Sequence, residues 1–251
     1  MEKAKKRGHI SVFDVVNVTA MVLVGLIMLL PILNLVSKAF SSEGNVIAGK
    51  VLFWPVEFQT GTIQYVLTTP EFSSSFFVTV TVTIVGTLGA MLLTVMAAYP
   101  LSKPHLKGRK FFLYIFVFIM LFSAGMVPNY ILFRTLQLTN TIFALIFSGM
   151  LSSFNLFLIK NYFETLPEVI EEAARIDGAS NMRVFFSVVL PMSTPVLATV
   201  TLYYAVAYWS NYFAGVMYIT DASLKPLQQY ICSTLSRRRR ACRIRPAVSA
   251  T

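Results

Sequence analysis

Charge is scarce in this chain. Asp and Glu together number 11 of 251 residues, and charged residues of all kinds make up 13%, where soluble domains run to roughly 25%. An ordinary soluble domain is excluded. Cysteine is nearly absent, and the nine-residue gap between Cys232 and Cys242 fits no zinc pattern, so the pair is given no redox or metal role. Histidine is as rare. His9 and His105 both lie in basic segments with no acidic neighbour to orient them. No nucleophile–base constellation is present, so the chain reads as non-catalytic, with no cofactor and no metal site.

What fills the space is apolar sequence. Hydrophobic residues make up 56% of the chain, in blocks long enough to cross a bilayer, which takes about 20 residues of helix. Five blocks are read, at about 15–36, 72–99, 111–133, 141–160 and 194–220. They predict an all-α, polytopic helical membrane protein with a basic N-terminus at 1–14, a transmembrane domain at 15–230 and an atypical tail at 231–251. The N-terminal "MEKAKKRGHI" resembles the start of a signal peptide. The apolar stretch after it is too long for one, and no small-residue cleavage site follows. It is expected to stay as the first span.

The net charge of +10 does not point to nucleic acid, because the basic residues sit beside the spans. With the N-terminus in the cytoplasm, the inner segments hold Lys3, Lys5, Lys6, Arg7, Lys103, Lys107, Arg109, Lys110, Lys160, Arg175 and Arg183. The outer loops hold Lys38, Lys50, Arg134 and Lys225. That imbalance is the positive-inside pattern. In the first outer loop, Phe53 and Trp54 suit a membrane interface.

One long inner loop remains, 161–193, and it carries "EEAARIDGAS". Thr165 and Glu168 have capping-box spacing, Pro167 suits a first helical turn, and Gly178 is placed to cap the end. The rod between them is about 12 residues, roughly 18 Å, too short to span. Leu166, Val169, Ile170, Ala173 and Ile176 fall mainly on one side; Glu168, Glu171, Glu172 and Arg175 fall on the other. Helices lying on lipid are usually rich in Lys and Arg, and an acidic one is repelled by anionic headgroups. A protein partner is therefore expected ahead of lipid.

The spacing of this loop resembles a known signature. Glu172-Ala173-Ala174, three residues, Gly178, nine residues, Val188, one residue, Leu190-Pro191 is similar to the EAA motif of ABC-importer permeases, with Val188 where that family has Ile. "LPEVIEEAARIDGASNMRVFFSVVLPMSTPVL" and, upstream, "FSAGMVPNYIL" and the "FWP" loop resemble its carbohydrate-uptake branch. The resemblance implies a bacterial cell-membrane subunit that pairs with a second permease, a cytoplasmic ATPase dimer and an external solute-binding protein. It implies that Glu171, Glu172, Ala173, Ala174, Arg175, Asp177, Gly178, Leu190 and Pro191 form the ATPase-docking loop. Glu172 would pair with a basic group there, Ala173 and Ala174 would permit close approach, Gly178 would turn the chain, and Leu190-Pro191 would end a second short helix.

A nucleotide site within this chain is not expected. Gly44, Gly49 and Lys50 have P-loop spacing, but Val51 stands where a Ser or Thr should hold magnesium. For the solute, Tyr204, Tyr208, Asn211 and Tyr212 recur at i, i+4, i+7 and i+8 and are read either as sugar-stacking groups or as an aromatic belt. Ser152, Ser153 and Asn155 are read either as path-lining groups or as interhelical hydrogen bonds. Gly86 and Ala90 are most simply a close helix contact. After Gln229 the tail carries six Arg in "SRRRRACRIRP", on the outer face of a five-span topology where a sixth span is expected. A truncated or frameshifted end, and an inactive permease, are the expectations this raises. The alternative from another class, a secondary transporter or channel, usually carries ionisable residues inside the membrane, and none is placed mid-membrane in spans two to five.

Overall fold

The computed structural model describes residues 12–122 and 124–234. It falls into two units, divided after Thr69. In the first, α1 (Val12–Ala39) is followed by the short helices α2 (Glu43–Ile47) and α3 (Gly61–Thr68). α1 is apolar all round, its mean hydropathy reaching 2.5 with none of that stretch buried within the chain. A helix of that kind is a membrane span. Its C-terminal end is polar and ties down the loop after it. Asn34 Nδ2 donates to Leu52 O at 2.5 Å, and Ser37 Oγ donates to Phe53 O at 2.5 Å. The Phe40 and Phe58 rings stack at 5.4 Å. Trp54 is 83% exposed. The P-loop-like stretch forms α2 and a turn at Gly49 rather than a strand-to-helix loop.

The second unit contains α4 (Pro70–Ser102), α5 (Arg109–Leu121), α6 (Met126–Thr135), α7 (Ile142–Phe147), α8 (Ser153–Thr165), α9 (Glu168–Ile176) and α10 (Asn181–Val184). A π-helical turn (Phe185–Val189), α11 (Leu190–Met192), α12 (Thr194–Trp209), α13 (Tyr212–Tyr218) and a 3-10 turn (Ala222–Leu224) complete it. The chain is helical again at 227–234. α4 is the axis, packed against α12, α8 and α7. Its small residues set the spacing. Ala90 and Ala98 are wholly buried, and Gly86 lies against the Tyr208 ring so closely that a Cβ there would sit 2.7 Å from Tyr208 Cζ. Gly149 meets the same ring, at 3.2 Å for a Cβ. Of the pair expected to make a close contact, Gly86 meets the Tyr208 ring and Ala90 is fully buried.

Five straight spans do not form. Among the described residues, α1 and α4 are the single helices long and apolar enough to cross a membrane, and two bent helix pairs are as apolar together. α5 and α6 meet at 113°, and 181–192 meets α12 at 81°. The second bend has a chemical cause. Pro191 and Pro195 lack the N–H groups that would donate one turn back, and Thr194 Oγ1 donates to the orphaned Pro191 O at 2.7 Å instead. The block at 141–160 breaks between α7 and α8, where Ser152 accepts from Asn155 N at the start of α8. The block at 194–220 breaks after Trp209, where Asn211 Oδ1 accepts from Ala214 N at 3.0 Å. Short polar side chains that bond their own backbone favour such breaks over helix interiors. The Arg-rich tail, Cys242 and His9 lie outside the described residues.

Candidate functional site

α9 begins at Glu168 with Pro167 as its N-cap residue, and no side chain caps it. The capping box is absent because Thr165 closes α8 instead, its hydroxyl donating to Tyr162 O at 2.7 Å. α9 is accordingly nine residues long, about 14 Å of rod. Glu168 and Glu171 occupy its first turn and Arg175 its last, the order the helix dipole favours. At its C-terminal end Gly178 N donates to Arg175 O and Ala179 N to Ala174 O, both at 3.0 Å. This is a Schellman closure, and it requires the left-handed φ of +82° that Gly178 adopts.

The helix is turned the opposite way from a helix that buries its apolar stripe. Val169 is 72% and Ile176 86% exposed, whereas Glu171 is 5% exposed. Ala173 and Glu172 also face out. Charge partners account for the inversion. Glu171 Oε1 pairs with Lys103 Nζ, just beyond the end of α4, and Glu171 Oε2 lies 3.5 Å from Arg175 Nη2. Lys103 also sits 5.0 Å above the Tyr99 ring. Beside it, Glu164 takes Arg109 and, at 2.8 Å, Lys160. The basic 103–110 segment and the acidic 160–183 loop thus share one end of the unit.

Between α9 and the 103–105 segment lies a cleft of about 380 Å³ lined by Lys103, Pro104, His105, Glu168, Glu172 and Arg175, among others. The expected docking residues therefore separate. Glu172, Ala173, Arg175, Asp177 and Gly178 are exposed, while Glu171 points inward and Ala174 packs on the core. Ala174 permits close approach to this chain's own helices. Leu190 and Pro191 lie at the junction of the π-helical turn with α11.

The expected aromatic face of the last block is also divided. Tyr204 and Tyr208 are buried ties. Tyr204 Oη lies 2.7 Å from Thr94 Oγ1 and accepts from Ser152 N at 3.1 Å; Tyr208 Oη donates to Ile146 O at 2.7 Å. Asn155 is buried in α8. Asn211 and Tyr212 lie past the break, off that face. Asn211 lines a second cleft of about 310 Å³ with Asn129, Ser148, Met126, Met217 and Tyr218.

The sequence pattern of the family described as "Binding-protein-dependent transport system inner membrane component" matches residues 90–235. That span holds α8 to α13, the α9 loop and most of the buried core. The chain belongs to that family.

Among relatives of this permease is Protein LplC of Bacillus subtilis, 40% identical over 88% of this chain and 75% of its own length. Another, the polygalacturonan/rhamnogalacturonan transport system permease protein YtcP of Bacillus subtilis, is 35% identical over 86% and 76%. A solved structure, a bacterial ABC transporter involved in the import of the acidic polysaccharide alginate, superposes with a TM-score of 0.85. It is 34% identical and matches over 89% of this permease and 80% of that chain. The expected family, the all-helical membrane fold and the role of a permease subunit in an ABC importer hold. Family membership places the chain in a bacterial membrane as one component of a transport complex. What sequence reasoning missed in this permease is the inward Lys103–Glu171 pair. Its members are 68 residues apart, and read alone Lys103 was only an orienting charge.

Proposed function

We propose that this permease carries a carbohydrate into a bacterial cell, coupled to ATP hydrolysis on a separate chain that docks on the outer face of α9. The observation that carries this reading is the inverted helix. An apolar stripe of Val169, Ala173 and Ile176 faces out, flanked by the acidic Glu172 and Asp177. Exposed apolar residues rimmed by charge mark interaction surfaces, and the net negative charge favours a protein groove with a basic wall over anionic lipid. The N-terminus is then cytoplasmic, on the same side as the 103–110 and 160–183 segments. A second permease, an ATPase dimer and an external solute-binding protein complete the assembly.

For the solute path, the cleft at Asn129, Ser148, Asn211 and Tyr218 offers amide and hydroxyl groups beside apolar Met126 and Met217, a pairing suited to sugar hydroxyls and C–H faces. Tyr204 and Tyr208 hold the helices that frame it, with Asn155 buried in α8 and Tyr212 at the start of α13. The carbohydrate relatives support the substrate class.

The test is co-purification with the carbohydrate-importer ATPase of the same organism, for the unaltered chain, Ile176→Glu and Glu172→Lys. Both variants are expected to lose the ATPase while keeping the thermal stability of the unaltered chain. Capture that ignores both changes refutes docking on α9.

A further inference from the structure

We propose that Lys103 and Glu171 form the rigid tie through which movement of α9 reaches α4, so that Lys103 is a positioning residue for coupling rather than an orienting charge. The inference rests on the docking reading above and goes beyond it, because it concerns the face of α9 turned toward the end of α4.

The covalent routes out of α9 are poor levers. On one side the chain leaves through the extended Pro167, and on the other through the glycine turn at Gly178. α10 then leads into a π-helical turn and the 81° bend before α12. A push on α9 delivered through those joints alone would be taken up by the turns. The inner face offers a direct route. Glu171 is buried at 5% and is held from both sides, by Lys103 from the end of α4 and by Arg175 from its own helix. Lys103 is itself clamped, its ammonium 5.0 Å over the Tyr99 ring. Tyr99 packs on Phe185 at 4.7 Å and on Phe163 at 6.2 Å. One carboxylate thus links α9 to the end of the longest core helix, and through Tyr99 to α8 and the π-helical turn.

α4 is the right element to receive that movement. It packs along α12, α8 and α7, and its midpoint carries the Gly86 contact to Tyr208. A displacement of its Lys103 end shifts the helices that frame the Asn211 cleft. Arg175 contacts Glu171 from the same helix and also reaches Tyr99 of α4, so it reinforces the tie, while the Lys103–Glu171 pair is the direct charge link between α9 and the end of α4.

The experiment uses the complete importer in proteoliposomes, measuring ATP hydrolysis and uptake of a labelled oligogalacturonide or neutral oligosaccharide that the unaltered complex transports. Lys103→Met keeps the aliphatic stem over Tyr99 and removes the charge. The ATPase stays bound and hydrolysis continues, while solute moved per ATP falls about fivefold or more, the range of an allosteric coupling energy. The exchanged pair, Lys103→Glu with Glu171→Lys, restores the ratio. If Lys103→Met fails to accumulate, Glu171→Gln carries the same comparison. An unchanged ratio in the single variant overturns the proposal. So does a loss that the exchanged pair fails to repair, since that marks a merely structural role. Failure of the docking reading looks different: Ile176→Glu then retains the ATPase, and the proposal falls with it.

Discussion

Replacing Gly86 by Ala adds one methyl group, and the structure says where it lands. The new carbon would lie 2.7, 2.8 and 2.9 Å from Tyr208 Cζ, Cε1 and Cε2, where carbon atoms prefer about 3.5–4.0 Å. The ring has to retreat by nearly an ångström. It cannot do so freely, because Gly149 backs it at 3.2 Å for a Cβ and its hydroxyl is committed to Ile146 O at 2.7 Å. Forcing an extra methylene into such a site costs about 1–3 kcal/mol, and losing the buried hydroxyl bond adds about 1–3 kcal/mol. Against this, Ala gains about 1 kcal/mol over Gly in a helix interior. The net is roughly 1–5 kcal/mol of destabilisation. At about 2–4 °C per kcal/mol for a chain of this size, Tm falls by roughly 2–20 °C. The assay is thermal unfolding of the purified chain in detergent. Gly25→Ala is the control, since a Cβ at Gly25 meets nothing within 4 Å, and it should leave Tm unchanged or raise it. Tyr208→Leu lowers Tm by itself but makes room, so Gly86→Ala in that background should cost little. A strictly additive cycle, or Gly86→Ala with the Tm of the unaltered chain, refutes the packing argument.

Tyr204→Phe removes a hydroxyl that serves both Thr94 and Ser152 N, and should cost about 1–3 kcal/mol; Tyr203→Phe, at a residue 48% exposed, should cost almost nothing in the same melt. Gly178→Ala forces a side chain into φ +82° at about 1–2 kcal/mol, whereas Gly178→Asn should be milder; comparing transport by the two separates backbone strain from loss of a contact. Ser223 N–H and hydroxyl, both bonded to the Asp221 carboxylate, hold that carboxyl below the usual carboxylate range, with Lys225 adding to it. A lowered folded value means this turn's stabilisation is present above the unfolded pKa of about 3.9 and disappears as pH falls through the lower one. Hydrogen exchange at the Ser223 amide should therefore stay slow through mildly acid pH and quicken only below that range.

How much was legible follows from how local each feature is. Apolar blocks announce a membrane helix because lipid tolerates little else, and a short acidic loop with a capping glycine is a local pattern that Gly178 completes as read. The capping box failed because Thr165 had two possible partners, and α8 claimed its hydroxyl. The Tyr204–Tyr212 face failed because periodicity assumes an unbroken helix, and Asn211 spends its side chain starting a new one. Glu171 and Glu172 are neighbours of identical chemistry, and nothing in their order says that one faces in and the other out.

Composition marked a helical membrane protein, and the resemblance carried by the spacing from Glu172 to Pro191 marked a permease and the position of its long polar loop. Those properties depend on solvent preference and on distances of a few residues along the chain. Only the tertiary structure decided which face of α9 is presented, that Tyr204 and Tyr208 are ties rather than an open face, and that Lys103 belongs to Glu171. Each of those depends on groups tens of residues apart meeting in space, where a buried carboxylate needs a cation and a packed ring needs a glycine opposite.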